Sequence, residues 1–184
     1  MKNYIFVLTF LPTLLFAQSK ELQSYDGRFQ ILAPGEMTEA VDTLQTAIGK
    51  TVHHTFYYQA PNENENVLFY SVIYYDLPKN SINSDSTEWI EEFFVNTTES
   101  AARSVRGELL YQNYEELSGF PGYFWRIDYL DGKAVIKSKA WLADNRYYEL
   151  KTISWKEKTV NQDSEKFFDS FKLLLPERTV RSRK

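Results

Sequence analysis

Apolar and polar residues alternate along most of this chain, and the period lengthens in only two places. "DGRFQILAP", residues 26–34, predicts a first short strand closed by Pro34-Gly35, and "TEAVDTLQT", residues 38–46, predicts a second. A turn around Ile48-Gly49 leads into "KTVHHTFYYQ", a third, and the polar "PNENEN" turns the chain again. "VLFYSVIYYDLP" is apolar and aromatic throughout, which predicts a central strand covered on both faces.

The first change of period comes in "SDSTEWIEEFFVNTTESAARSV". Trp89, Ile90, Phe93, Phe94, Thr97, Ala101 and Ser104 fall on one helical face, with Glu88, Glu91, Glu92 and Glu99 opposite. Ser84 or Ser86 caps the start, and Glu99 is placed to pair with Arg103 one turn on. Four strands follow: "ELLYQNYEELSG", "YFWRIDYL" after a Gly119-Phe120-Pro121-Gly122 turn, "KAVIKSKAWLA" and "RYYELKTISW". Asp131-Gly132 is a two-residue hairpin signal, and Asp144-Asn145 turns the chain once more. One residue of slip there exchanges the two faces of the last strand, so the sequence leaves that register open. The second helical period is "SEKFFDSFKLLLP", with Phe167, Phe168, Phe171 and Leu174 on one stripe and a stop at Pro176. The pattern predicts an α+β fold: an antiparallel sheet of about 6–8 strands covered by two main helices, like an αβα sandwich.

The chain's start changes the picture of where it works. "MKNYIFVLTFLPTLLFAQ" joins one lysine to an apolar run from Tyr4 to Phe16 and then small and polar residues. That run is shorter than the about 20 residues a spanning helix needs, and its layout is that of a secretory signal peptide, residues 1–17, cut after Ala17. No cysteine occurs, which removes a lipid anchor, disulfides and thiolate metal sites. The expectation is an exported chain without a membrane span, folded as one domain over residues 19–175. A disordered basic tail, "PERTVRSRK" at 176–184, follows. The net charge of −4 places no basic field on the body, which argues against nucleic acid.

Several stretches resemble the PsbP-like fold, shared by photosystem II extrinsic proteins and a nuclear Ran-release factor. They are "GRFQILAPG", "TAIGKTVHHTFYY", "LSGFPGYFWRIDY", "WLADNRYYEL" and "FFDSFKL", and together they span most of residues 19–175. The resemblance is closest to small secreted bacterial proteins of that fold, mostly without an assigned function. It implies architecture rather than activity, because the fold serves unrelated roles. No residues here match the Ran-binding or photosystem-binding surfaces.

Candidate chemistry is sparse. Gly49-Lys50-Thr51 is no phosphate loop: the position five before Gly49 is Leu44, and a strand follows. His53 and His54 are adjacent in a strand and point to opposite faces, so one metal does not take both. There is no Gly-x-Ser-x-Gly elbow and no His-Glu-x-x-His helix. Glu91-Glu92 lies on a solvated helix side, and Glu115-Glu116 points apart along a strand. The chain is therefore read as a non-enzyme without cofactor or metal. A hydrolase with a non-obvious site ranks third among the readings.

The feature that points to recognition lies in the meander. Phe124, Arg126, Asp128 and Leu130 share one strand side, and a turn at Asp131-Gly132 sets Val135, Lys137 and Lys139 beside them, with Trp141 further along. Tyr123, Trp125, Ile127, Tyr129, Ile136 and Leu142 form the core side. Aromatics mixed with Arg and Lys are enriched at binding surfaces. The bland alternative is that a helix covers the aromatics while the charges ring its edge. The binding candidates are thus Arg126, Asp128, Lys137, Lys139 and Trp141. The leading reading is a binding or accessory domain for a protein or envelope component. The alternative is a periplasmic carrier of a small glycan, anion or apolar molecule.

Overall fold

The computed structural model describes residues 19–46, 49–78 and 81–174. The leader, part of the turn at Ile48, Pro176 and the basic tail lie outside them. In chain order the strands are β1 (Lys20–Ser24), β2 (Phe29–Ala33), β3 (Thr38–Thr46), β4 (Gly49–Gln59) and β5 (Phe69–Asp76). Helix α1 (Thr87–Ser104) follows, then β6 (Glu108–Leu117), β7 (Phe120–Tyr129), β8 (Ala134–Ala143) and β9 (Arg146–Trp155). A 3-10 turn at Lys156–Lys158 leads to α2 (Gln162–Asp169) and β10 (Lys172–Leu173).

Seven strands pair antiparallel in the order β3-β4-β5-β9-β8-β7-β6, and a smaller sheet has the order β1-β2-β10. The all-apolar segment, β5, is an inner strand between β4 and β9. Side chains alternate across each strand, so the large sheet separates two cores. On one face, Ile90, Phe94 and Ala102 of α1 pack on Trp125, Ile127, Ile136, Leu142 and Tyr147. On the other, Phe29 and Ile31 of β2 and Phe167, Phe168 and Phe171 meet Phe56, Tyr70, Tyr74, Trp141 and Tyr148.

The α+β class and the antiparallel main sheet are as expected, but the two-helix sandwich is not. The second face is covered by the small sheet, with the short α2 beside it. The second helix ends at Asp169, not near Pro176. Phe171 leaves the helix to stack on Trp141, and Leu174 N–H donates to the Arg28 carbonyl at 2.8 Å, so the segment becomes an edge of the small sheet. The strand β1 was not expected, because "KELQS" shows no apolar alternation; pairing with β2 makes it. Arg146 ties this layer down, gripping Asp76 at 2.6 and 2.7 Å and donating to the Asp26 carbonyl. Tyr148 OH donates to the Gly27 carbonyl at 2.7 Å.

Two turns also differ. The connection before β7 is Ser118-Gly119, with φ of 53° and 79°, and Phe120-Pro121-Gly122 already belong to the strand. Pro121 has no N–H to give, and it fits there because pairing with β8 begins only at Gly122. The Asp131-Gly132 link is four residues, 130–133, since Tyr129 pairs with Ala134. Leu130, Asp131 and Gly132 all take positive φ. Ala143 opposes Arg146 across Asp144-Asn145, which decides the face register of β9.

Candidate functional site

The register of β7 and β8 sets Asp128 opposite Val135, Arg126 opposite Lys137, Phe124 opposite Lys139 and Gly122 opposite Trp141. Two cations face each other directly, and each is drawn aside by an acid. Arg126 donates twice to Asp128, at 2.7 and 3.1 Å, and Lys156 reaches the same carboxylate at 3.0 Å. Lys137 reaches Glu165 of α2 at 3.3 Å, and Lys139 reaches Glu115 of β6 at 2.8 Å. The Lys139 ammonium also lies 5.7 and 5.8 Å from the ring centroids of Phe124 and Phe168. Burial works to raise the Asp128 carboxyl, but the hydrogen bonds and charges of Arg126 and Lys156 outweigh it and hold it below its ordinary range.

Four of the five expected residues therefore meet in one ion-paired shelf beside α2. Trp141 plays another part. It is 3% exposed and stacks on Phe171 at 5.5 Å and 8°. Its indole lies over Gly122, where an added Cβ would clash with Cδ1, so glycine is required for that close approach. Trp141 is a floor under the shelf rather than part of its surface.

Across α2 lies a groove the sequence did not reveal. It encloses about 850 Å³ between β2, the β4–β5 connection, β5 and α2. Its aromatic wall is Tyr58, Tyr70 and Phe167, and its carboxylates are Glu65, Asp163, Glu165 and Asp169. Tyr70 meets Phe167 edge to face at 5.1 Å. Asn161 caps α2 by accepting from Ser164 N–H at 2.8 Å, which fixes Asp163 and Glu165 in the first turn. Asn66 donates to Asp163 at 2.8 Å, and Lys158 donates to the Asn64 carbonyl at 2.7 Å, holding the "PNENEN" connection against the helix. Burial pushes the Tyr70 phenol far up, and the carboxylates of Asp163 and Glu65 add to it. The same-face spacing of Tyr58 and Tyr70 on neighbouring strands is legible in sequence. That Asn66 meets Asp163, 97 residues away, is not.

On the opposite face one row through successive registers, Gln112, Trp125, Ser138, Lys151, Ser71 and Tyr57, sets polar side chains around the core residue Trp125. Glu149 sits beside it, accepting from Ser138 at 3.0 Å and Tyr147 at 3.3 Å, with Lys151 at 3.1 Å. The two histidines do point apart, each stacked on a tyrosine of β5: His53 on Tyr75 at 4.0 Å, His54 on Tyr74 at 4.6 Å. His53 Nε2 is 2.9 Å from Thr51 Oγ1. Thr51 is buried, so this hydroxyl–imidazole contact lacks the access a nucleophile needs. Burial lowers the His53 imidazole, and Asp42 partly offsets it. Among the described residues no three His, Asp or Glu side chains converge as a metal-ligand set, and no helix is long and apolar enough to cross a membrane.

No protein-family model matches the chain, and no curated protein matches it in sequence. Among solved structures it is similar to the solution structure of cyanobacterial PsbP (CyanoP) from Synechocystis sp. PCC 6803. The TM-score is 0.59 at 11% identity, over 90% of this chain and 98% of that one. The fold is PsbP-like.

Proposed function

We propose that this PsbP-like chain is an exported, non-catalytic accessory domain that engages a protein or envelope component through the β6–β8 shelf. The observation that carries the reading is the array of Arg126, Asp128, Lys137 and Lys139, held by ion pairs beside Phe124 on one sheet face. Side chains fixed before contact lose less entropy on binding, and Arg with aromatic neighbours is the composition of interaction hot spots. The charged and apolar pattern of residues 1–17 supports export. Residues 19–175 then act as one domain, with 176–184 as a basic tail.

The test is cross-linking of the tagged protein in its native envelope, followed by identification of what co-purifies. One near-stoichiometric partner is expected, lost in Arg126→Glu/Lys137→Glu at a temperature where circular dichroism shows the variant still folded. No partner with either form overturns the reading. A second reading, a carrier of a small molecule, is favoured by the groove beside α2. A ligand retained through purification from the native host is its expected signature.

A further inference from the structure

We infer that the outer edge of β3 is an interface for a second copy of this chain, the two β3 strands pairing antiparallel about a twofold axis at Thr43. The strand edges of the molecule carry this when set side by side. β6 closes the large sheet at one end, and a bulge at Leu110 breaks its register. The small sheet ends in β1 and β10, of 5 and 2 residues. Bulges and short length keep an edge from pairing with another chain. β3 has neither device. It runs 9 residues in unbroken register with β4, and "TEAVDTLQT" holds no proline and no lysine. Its two acids are turned to its own neighbour: Glu39 lies 3.0 Å from His54 Nδ1, and Asp42 stands opposite His53.

The backbone of this edge is open, and its direction can be read from the ladder. Alternate residues of an edge strand turn N–H and C=O away from the sheet. Ala60 N–H donates to the Leu68 carbonyl at 2.9 Å, so the even-numbered residues of β4 bond toward β5. Val52 is one of them, and its partner Thr43 therefore points outward, as do Glu39, Val41 and Gln45. The side chains are unsatisfied too. Val41 and Leu44, on opposite faces of the strand, are 54% and 47% exposed.

The occupant follows from the strand's own register. Pairing centred on Asp42 sets two carboxylates opposite each other. Pairing centred on Thr43 sets threonine against threonine, Asp42 opposite Leu44 and Val41 opposite Gln45, with no like charges opposed. Both exposed apolar side chains then gain a cross-strand neighbour. The place is reachable, because β4 pairs with β5 only as far as His54, whereas β3 and β4 stay paired to Thr46 and Gly49. Residues 42–46 thus extend past the last register of β5. The dimer joins the two seven-stranded sheets into one, at the end opposite the β6–β8 shelf.

Sedimentation of the chain after leader removal, over about a hundredfold range of concentration, should show a monomer–dimer equilibrium. Thr43→Pro removes an outward N–H and spares the β3–β4 ladder. It should stay folded by circular dichroism and dimerise at least about tenfold more weakly. Thr43→Lys sets two ammonium groups opposite each other and should weaken the dimer by about threefold. It also covers the case of a proline variant that does not fold. The chain has no cysteine, so single replacements report on the edge directly. Under mild oxidation Thr43→Cys should give a disulfide-linked dimer, and Asn113→Cys on β6 should not. Arg126→Glu/Lys137→Glu should leave the dimer unchanged, so failure of this interface and failure of the shelf are separable. A monomer at every concentration, or a dimer indifferent to the Thr43 variants, overturns the interface. So does a dimer lost in the shelf variant, or cross-linking through Asn113→Cys rather than Thr43→Cys.

Discussion

The two faces of the large sheet are closed by different means. One face meets a single helix of 18 residues, whose regular stripe buries Ile90, Phe94 and Ala102 on a mixed aliphatic and aromatic floor. The other meets a three-stranded sheet and a helix of 8 residues. So thin a cover has few positions to offer, and it fills them with rings. Phe29 alone lies within aromatic contact of Phe56, Tyr74, Tyr148 and Phe171. Large rings bury the most area per position, so few residues suffice, but each carries more of the load. Both features proposed for recognition, the shelf and the groove, flank that short helix. The thin cover leaves sheet surface on either side of it, while the long helix leaves a buried polar network on its own face.

The sharpest way to break this comparison is to remove one ring from each cover. Phe171→Ala and Phe94→Ala should each destabilise by about 3–5 kcal/mol in urea denaturation, as expected for buried phenylalanines. Their local effects should part. Amide exchange in β1, β2 and β10 should rise in Phe171→Ala and not in Phe94→Ala. Equal exchange of that layer in both variants would mean that the two covers form one cooperative unit.

A smaller effect is expected at the polar network under the helical face. Glu149→Ala strands the hydroxyl of Ser138, which is fully buried, and that of Tyr147, and it removes the partner of Lys151. The loss should be about 2–3 kcal/mol in the same assay, with Ser138→Ala/Glu149→Ala recovering part of it. No recovery would show that Ser138 contributes nothing to the network.

The smallest effect is a pH dependence. The folded protein disfavours the charged form of His53. The unfolded chain therefore binds more protons as pH drops through the ordinary histidine value of 6.5, and stability falls there. His53→Gln should flatten the stability curve between pH 7 and 5. A further loss should follow below about pH 4. There the unfolded chain takes up protons at Asp76 and Asp128, while the fold resists them, Asp76 chiefly through the hydrogen bonds of Arg146 and Asp128 through Arg126 and Lys156 against burial. A wild-type curve that stays flat from pH 7 to 5 would remove the assigned cause at His53.

Much of the fold was legible because strand and helix periods are local properties. The residues of β3 and β9 were read at their full extent, and the opposition of Arg126 to Lys137 followed from alternation and one turn. The shelf was legible for the same reason. Its partners in Glu165 and Lys156 were not, because nothing local says which helix will lie over which strand. The groove was wholly invisible: its tyrosines, its turn and its helix are each ordinary in isolation.

The order of apolar and polar residues was enough to determine the seven strands of the main antiparallel sheet, the long helix and which of their side chains share a face. Backbone sterics and the burial of alternating side chains act over a few residues at a time, so these outcomes need no distant contact. Tertiary structure decided the rest. Phe171 leaves its helical stripe because stacking on Trp141 and a tilted contact with Phe29, together with a strand edge for Lys172 and Leu173, are available only once β2 is in place. The groove exists because Asn66 and Asp163 are brought together across the finished sheet. Contacts of that kind depend on where whole layers settle, and no short stretch of sequence holds that information.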